Sequence, residues 1–429
     1  MFHTVLTPEI LNAPAPPSRQ AAYTPRVVTW LLVYQRLHRN ASLSDAVAHY
    51  LLEFPADGRP DCERCREHKP SANTGTYSSA RSNLPDRVME LAARRVFGTL
   101  VAAYPPSWRD RRVFTLDGTT VSLVGTEAPA TTLTPASDQR GPSHWPVMHR
   151  VVAHELAGGL AAVPRYGATY GPRAVGEAGR AVRPLDGLPG RPVLLADRNS
   201  GVFGFAHAAV AAGQDVVARL TRARFRALVR KGTPAGPGRW SPTWRPSGHD
   251  RKTRPQLPAD AAVRGWLHEV RLRDDLALWL PPTVGGTGAE LAELYRRRAD
   301  VEADIRNLKV ALALDQLRGR DEPMVVKELW AALAAYNPTT QVRRLAAARL
   351  GVNPRRLSFA GVPSRVRGFA AGSHAGPTEA ECQARFEQLV RAAGQRKLPE
   401  RKPGRSYPRE VIPRRRKFPE RKRVQAPPN

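Results

Sequence analysis

Two aspartates of this sequence follow apolar, β-branched runs, and each could serve as a metal ligand. Asp117 follows "RRVFTL" and precedes "GTT", whereas Asp197 follows "RPVLLA" and precedes "RNSG". Such runs are typical of strands, and we expect each aspartate to terminate one. An aspartate after a strand is often only a turn former or a helix cap. Adjacent strands would, however, bring Asp117 and Asp197 close together.

A third candidate carboxylate, Glu302, lies in the charged stretch "YRRRADVEADIRNLK". In a helix with about 100° of rotation per residue, it shares a stripe about 60° wide with Tyr295, Arg298 and Lys309. The simplest interpretation is a surface ion pair between Glu302 and Arg298, which would contribute about 0.3–0.5 kcal/mol. If the two aspartates lie on the same side of the domain, Glu302 could act together with them.

The apolar residues of the same stretch form a second stripe directly beside the first. This stripe contains Leu294, Val301, Ile305, Leu308 and Leu312. Glu302 therefore stands at the rim of the helix face that we expect to pack on a sheet. Asp300 and Asp304 point away from both stripes, and we interpret them as ordinary solvated charges.

Three carboxylates gathered in one place would destabilise a protein, because like charges repel. A bound divalent cation reverses that cost. Carboxylate oxygens suit Mg2+ or Mn2+, and two such ions about 3.5–4 Å apart assist phosphoryl transfer. Asp117, Asp197 and Glu302 are therefore candidate metal ligands, and the cations beside Glu302 could hold phosphates.

The elements that must position these residues divide the chain into helical and mixed parts. Residues 1–105 are expected to be all-helical, and a mixed α/β fold begins near 111 with "RRVFTLDGTTVSLV", which predicts strands around a tight turn. Residues 221–290 predict a β-rich insertion. One long helix over 289–317 would carry Glu302. Further along the chain, Pro338 should separate two helices, since proline interrupts helical hydrogen bonding.

The charge of the chain points to a polyanionic partner. The 67 Lys and Arg exceed the 38 Asp and Glu by 29, and nucleic acid is the commonest partner of so basic a protein. Only three cysteines occur, which excludes a disulfide framework and favours a reducing compartment. The longest apolar run that merits testing, "VVTWLLVY", is too short to cross a bilayer. We therefore expect a soluble, cytoplasmic protein.

The motifs around the three carboxylates resemble those of bacterial insertion-sequence transposases of the DDE superfamily. These are "LDGT" at Asp117, "LADRN" at Asp197 and the spacing Y-x2-R-x3-E-x6-K from Tyr295 to Lys309. The last spacing is similar to the signature of the "IS four" family. The resemblance extends over most of the chain, including "LRGR" at 317–320 and "NPRRLSFAG" at 353–361.

This resemblance implies a fold and a domain organisation. A helical DNA-binding domain would occupy 1–105, and an RNase H-like α/β catalytic core would occupy 106–345, with the β-rich insertion at 221–290. A C-terminal helical segment and a disordered basic tail would fill 346–429. The last 39 residues hold 14 Lys and Arg against 3 Glu, which suits a nonspecific DNA clamp.

The resemblance also implies an activity and its residues. The family cleaves DNA at the ends of its element and transfers the freed 3′-OH to target DNA. Asp117, Asp197 and Glu302 would then hold two Mg2+ or Mn2+ ions. The DNA contacts would come from Tyr295, Arg298, Lys309 and Arg198. The partners would be terminal inverted repeats and target DNA, bound by a homodimer in association with the bacterial nucleoid.

Two other functions fit the same residues. The chain could be a metal-dependent nuclease that cuts without joining, or a catalytically dead DNA-binding protein derived from a transposase. Three intact carboxylates argue against the latter. Separately, "CERCREH" places Cys62, Cys65 and His68 at ligand-like spacing, but no fourth zinc ligand is evident. We expect a solvent-facing loop there.

Overall fold

The computed structural model describes residues 5–399, except 15, 17–20, 54–59, 61, 63, 64, 66, 68–70, 125–132, 139–140, 163, 175–187, 272–274 and 372–377. Contacts group Met1–Lys397 into one compact unit. The boundaries expected near 105 and 345 lie inside this unit, and the three-part division stays a prediction. Within the described part, no helix combines the length and the apolarity needed to cross a membrane.

The secondary structure in the described part of the first hundred residues is helical, as the sequence predicts. They are α1 (Pro8–Asn12), α2 (Pro25–Leu37), α3 (Leu43–Leu52), α4 (Thr74–Asn83) and α5 (Asp86–Ala102). Helix α2 begins with Pro25 in its first turn, and the Thr24 hydroxyl accepts a hydrogen bond from the Val27 N–H. Ser42 and Asp45 cap α3 reciprocally. The apolar faces of these helices join the largest core of the protein.

The strands and helices that follow build a mixed α/β layer. The strands are β1 (Val113–Ser122), β2 (Pro135–Asp138), β3 (Gly141–Glu155), β4 (Arg165–Ala168), β5 (Val193–Ala196), β6 (Asp215–Arg219), β7 (Gly232–Pro234), β8 (Arg239–Trp244), β9 (Val263–Arg264), β10 (Trp266–Arg271) and β11 (Asp275–Leu280). The interspersed helices are α6 (Phe203–Ala211), α7 (Arg222–Val229) and α8 (Gly248–Thr253).

One large sheet joins these strands in the order β2-β3-β1-β5-β6-β11-β10-β8-β7, with β4 paired to β3 and β9 to β8. The middle strands β1, β5 and β6 run parallel, whereas β3 is antiparallel to β1. Strand β5 is buried along its whole length, as expected of a short apolar strand in the middle of a sheet. The mixed α/β class is confirmed.

The tight turn predicted within "RRVFTLDGTTVSLV" is absent. Residues Val113–Ser122 form the single strand β1, and Asp117 lies inside it rather than at its end. The long strand β3 explains this difference, because it pairs with β1 without a break from Phe114↔Glu155 to Ser122↔Val147. A sequence that could form a turn locally is held extended by its neighbour.

Residues 221–290, where the insertion is expected, contain strands that extend the main sheet. Strand β11 pairs with β6 at Leu278↔Arg219 and Trp279↔Ala218. Strands β10, β8 and β7 continue outward from it. Trp244 is buried against Phe203 and Trp279, with ring centroids 6.0 and 5.3 Å apart.

The long helix predicted over 289–317 is interrupted twice. Helix α9 (Gly288–Arg296) is followed by a 3-10 turn at Arg297–Ala299, helix α10 (Asp300–Arg306) and a π-helical turn at Asn307–Ala311. A 3-10 residue advances about 120° rather than about 100°. Three such residues add only about 60° of rotation. Of the predicted stripe, Tyr295 is buried while Glu302 is exposed.

Helix α11 (Glu322–Arg349) contains Pro338 and does not break there, contrary to the sequence prediction. Contacts of the two residues before the proline hold the helix to the turn after β3. Asn337 exchanges two hydrogen bonds with the Ala161 backbone, at 2.8 and 2.9 Å. Tyr336 donates to the Gly159 carbonyl at 3.0 Å. This packing offsets the roughly 3 kcal/mol that an internal proline costs.

The C-terminal part of the described chain is helical. A 3-10 turn at Pro354–Arg356 precedes α12 (Val362–Ala371) and α13 (Glu379–Gly394). The tail expected to be disordered from 391 begins inside α13, and its remainder from 400 lies outside the described residues. Cys62 and Cys65 are buried, so the solvent-facing loop predicted for them is wrong, and His68 lies outside the description.

Candidate active site

The parallel register of β1 and β5 brings the two aspartates to one edge of the sheet. Val113 pairs with Val193, and Thr115 pairs with Leu195. Two residues further along each chain, on the same face, come Asp117 and Asp197. Asp117 continues in β1, whereas Asp197 enters a turn, where it accepts a hydrogen bond from the Ser200 N–H at 2.7 Å.

Helix α9 and the 3-10 turn behind it are attached directly to these strand positions. The Tyr295 hydroxyl donates to the carbonyl of Ala196 at 3.1 Å, the residue before Asp197. One guanidinium nitrogen of Arg298 donates to Asp117 Oδ1 at 3.1 Å. Helix α10 then passes beside β1 with Glu302 exposed. The three carboxylates thus face the same edge.

Asp117 lies close enough to Asp197 and Glu302 for their charges to affect its ionisation. Burial raises the pKa of Asp117, and repulsion from Asp197 and Glu302 raises it further. The Arg298 guanidinium and a hydrogen bond from the Gly118 backbone act in the opposite direction without cancelling the increase. The ionised Asp117 therefore costs folding stability at neutral pH, which is typical of a functional carboxylate.

Tyr295 anchors its helix to the sheet. It is 7% exposed, and burial raises the pKa of its hydroxyl to about 12. The hydroxyl therefore stays protonated and can donate its hydrogen bond to the Ala196 carbonyl. Its expected contact with DNA stays a prediction. Of the other predicted DNA contacts, Arg198 is exposed directly after Asp197, and Lys309 is half-buried in the π-helical turn.

We expect Tyr295→Phe to lower the free energy of unfolding by about 1 kcal/mol, because a buried hydrogen bond is lost. Urea denaturation measures this change, and Tyr170→Phe is the control because Tyr170 is 43% exposed. DNA affinity should not change. Weaker DNA binding at unchanged stability would instead support the DNA contact and contradict the anchoring role.

The side chains at this edge suit a hard divalent cation by type but are not arranged around one. Among the described residues, no three His, Cys, Asp or Glu side chains lie close enough together to hold a metal ion. In this structure Arg298 supplies the positive charge beside Asp117. The mutual repulsion that raises the pKa of Asp117 is the cost that a bound cation would remove.

The prediction that Asp304 is a solvated charge is wrong. Asp304 is fully buried, and Arg355 donates to its Oδ2 at 2.6 Å, while Arg343 lies 3.6 Å from its Oδ1. Gly159, at φ +84°, packs so closely that a Cβ there would lie 2.7 Å from Asp304 Oδ1. Asp304 comes three residues after Val301 and four before Leu308. This spacing, visible in the sequence, places it on the buried face of the helix.

Arg355 extends this buried ion pair to the backbone beside the carboxylate edge. It donates to the Leu156 carbonyl at 2.6 Å, just after β3, and lies 3.6 Å from Asp300. Arg297 donates to the same carbonyl at 3.1 Å. The helix that carries Glu302 is therefore fixed on its inner face by charges from a segment some fifty residues later. No local pattern could have revealed Arg355 as its partner.

A known family has a model that matches this region. The family model described as "Transposase DDE domain" matches residues 108–337. The match spans more than half of the chain and includes Asp117, Asp197 and Glu302.

The chain belongs to the transposase DDE domain family. The transposase is accordingly a nucleotidyl-transfer enzyme whose substrate is DNA. Its mixed α/β architecture and large open sheet agree with an RNase H-like DDE domain. Among curated proteins, no sequence matches the transposase.

Proposed function

We propose that this transposase carries out cut-and-paste transposition: it cleaves DNA at the ends of its element and transfers the freed 3′-OH into target DNA. The observation that carries this proposal is the register of β1 and β5, which sets Asp117 beside Asp197. Helix α10 adds Glu302 to the same edge. The order Asp, Asp, Glu along the matched region supports one catalytic centre.

In this proposal Asp117, Asp197 and Glu302 hold two Mg2+ or Mn2+ ions. When bound, such ions activate the attacking oxygen and stabilise the leaving oxygen in phosphoryl transfer. The hydrogen bond from the Tyr295 hydroxyl to the Ala196 carbonyl fixes the position of helix α9 relative to the end of β5. The Arg298 guanidinium, 18% exposed beside Asp117, would also donate to a phosphate oxygen.

The spacing Tyr295–Arg298–Glu302–Lys309 supports membership in the "IS four" family as part of the same proposal. Lys309 and Arg198 would add phosphate contacts beside the scissile bond. Joining two ends requires their synapsis, and we propose a homodimer on the DNA for that step. The N-terminal helices and the basic tail would bind further DNA, in association with the bacterial nucleoid.

An in vitro joining assay tests the proposal. The substrate is linear DNA that carries the inverted repeats flanking the gene, together with a supercoiled target plasmid and Mg2+. We expect linear or relaxed joined products, with the 3′ ends of the substrate linked to the plasmid. Substrate with scrambled ends and a reaction with EDTA are the controls.

Two other results of the assay would replace the proposal. Nicked or cut ends without any joined plasmid would identify a metal-dependent nuclease. Retention of the substrate in a gel-shift assay, without cleavage in Mg2+ or Mn2+, would identify a DNA-binding protein that has lost catalysis.

A further inference from the structure

Helix α7, which follows β6, presents a row of three arginines to solvent. Arg222, Arg226 and Arg230 are exposed and follow one another at four-residue intervals. This spacing places them on one face of the helix, about 6 Å apart along its axis. Lys231, also exposed, comes directly after the row.

The arginine row opposes the stability of its own helix. Like charges at four-residue spacing cost about 0.2–0.5 kcal/mol per pair, and a cation in the first turn opposes the helix dipole. Helix α7 contains no acidic residue. Arg222 pairs with Glu269 at 2.8 Å, whereas within the described part of the chain Arg226 and Arg230 make no ion pair. Folding does not explain this charge pattern, but a polyanionic ligand does.

The row starts at the edge of the sheet that carries the carboxylates. Strands β5 and β6 are parallel, and Ala196 pairs with Ala218. Asp197 follows Ala196, and Arg219 follows Ala218, so the two lie at the same edge of the sheet. Thr221 caps α7 immediately afterwards. Arg222 is therefore the end of the row nearest to Asp197, and the helix leads back from that edge.

Side chains on the inner face fix the direction of the row. Phe225 and Leu228 are buried, and the Phe225 ring lies edge-on to Trp240 with centroids 5.6 Å apart. Arg224 donates to the carbonyl of Gly201 at 2.5 Å, in the segment that follows Asp197. The exposed arginines are thus held in a set position relative to the loop of one catalytic aspartate.

We infer that Arg222, Arg226 and Arg230 bind the phosphate backbone of the duplex that leads to the scissile phosphate. A straight row of cations that begins beside the carboxylates matches a strand of phosphates that ends there. The identity of the duplex rests on the proposed function. The contact to a DNA backbone follows from the row itself, and backbone contacts carry no sequence preference.

The double variant Arg226→Gln/Arg230→Gln tests this inference, and it leaves the Arg222–Glu269 pair intact. Fluorescence anisotropy with a labelled duplex between 50 and 300 mM KCl gives affinity and its salt dependence. Each lost phosphate contact lowers the slope of log K against log salt by about 0.9, so we expect a decrease of about 1.8. Affinity should fall about tenfold or more at 0.1 M salt.

The matched control is Arg245→Gln/Arg264→Gln, which removes the same charge from the same insertion. Both arginines are exposed, and both lie at the far end of β8, where Trp244 pairs with Val263. The control should keep the wild-type slope. Thermal melting should show the Arg226/Arg230 variant to be at least as stable as wild type, since like-charge repulsion is removed.

An unchanged slope and affinity in the Arg226/Arg230 variant, or an equal loss in the control, would overturn the inference. If wild type joins ends while the variant binds DNA normally, the inference fails and the proposed function stands. If the salt dependence of DNA binding is weaker in the variant while wild type neither cleaves nor joins, the surface binds DNA and the proposed function fails.

Discussion

Glu302→Gln is expected to abolish both cleavage and joining while leaving the protein folded. Glu302 is exposed on α10, so its replacement by an isosteric amide removes a charge without opening a cavity. In the proposed site that charge is a metal ligand. Loss of metal-assisted stabilisation of the transition state should reduce the joining rate at least about a thousandfold, or about 4 kcal/mol.

Asp117→Asn should lose activity to the same extent and yet unfold at no lower temperature than wild type. The pKa of Asp117 is raised in the folded protein, by burial first and then by its acidic neighbours. A carboxyl with a raised pKa binds its proton more tightly when folded, and its ionised form therefore costs stability above that pKa. The neutral asparagine avoids the cost at neutral pH. Activity and stability would thus change in opposite directions.

Two measurements separate a metal site from general damage. Single-turnover joining in Mg2+ gives the rate, and differential scanning fluorimetry with Mn2+ gives metal binding without catalysis. Wild type should melt at a higher temperature with Mn2+, whereas Asp117→Asn, Asp197→Asn and Glu302→Gln should respond less. Glu293→Gln is the control, since Glu293 is exposed on α9 and pairs with Arg296. Undiminished joining by Glu302→Gln would remove Glu302 from the site.

The local signals in the sequence were sufficient to predict that Asp117 and Asp197 lie beside each other. The apolar run before Asp197 predicted β5, and the run before Asp117 predicted the first half of β1. Parallel strands must place such residues at a common edge, which the register confirms. The apolar stripe beside Glu302 was also right, because Val301, Ile305 and Leu308 are buried.

The failures lie where distant parts of the chain override a local preference. The Asp117–Gly118 pair would suit a turn, but pairing with β3 holds it extended. Pro338 would interrupt an isolated helix, but Asn337 and Tyr336 secure α11 to the turn after β3. A helical wheel cannot foresee the 3-10 turn at Arg297–Ala299 or the π-helical turn at Asn307–Ala311, which divide the long helix predicted over 289–317.

Asp304→Ala is expected to be far more destabilising than its place in a charged stretch suggests. The carboxylate is fully buried between Arg355 and Arg343. Its removal leaves Arg343 without the counter-charge it has among the described residues. Arg355 keeps only the partly exposed Asp300 at 3.6 Å. Breaking a buried pair in this way costs about 3–5 kcal/mol, a large share of the stability of most proteins.

The pH dependence of stability provides a second readout of the same change. Burial alone would raise the pKa of Asp304, but Arg355, His154 and Arg343 outweigh it, and the pKa is lowered in the folded protein. A lowered pKa contributes stability above the unfolded value of about 3.9, and this stability is lost as pH falls through the folded value. Below about pH 4, the free energy of unfolding of wild type should therefore fall more steeply than that of Asp304→Ala, which lacks this carboxylate.

Asp300→Ala is the matched control, because Asp300 lies on the same helix and at 3.6 Å from the same Arg355, but with 35% of its side chain exposed. A partly exposed pair at this distance contributes no more than an exposed one, about 0–1 kcal/mol. Urea denaturation at pH 7 should thus separate two aspartates that the sequence presents as equivalent. Equal effects of the two variants would mean that solvent reaches Asp304. The inner face of α10 would then be held by apolar packing alone, and Arg355 would have no part in fixing the helix that carries Glu302.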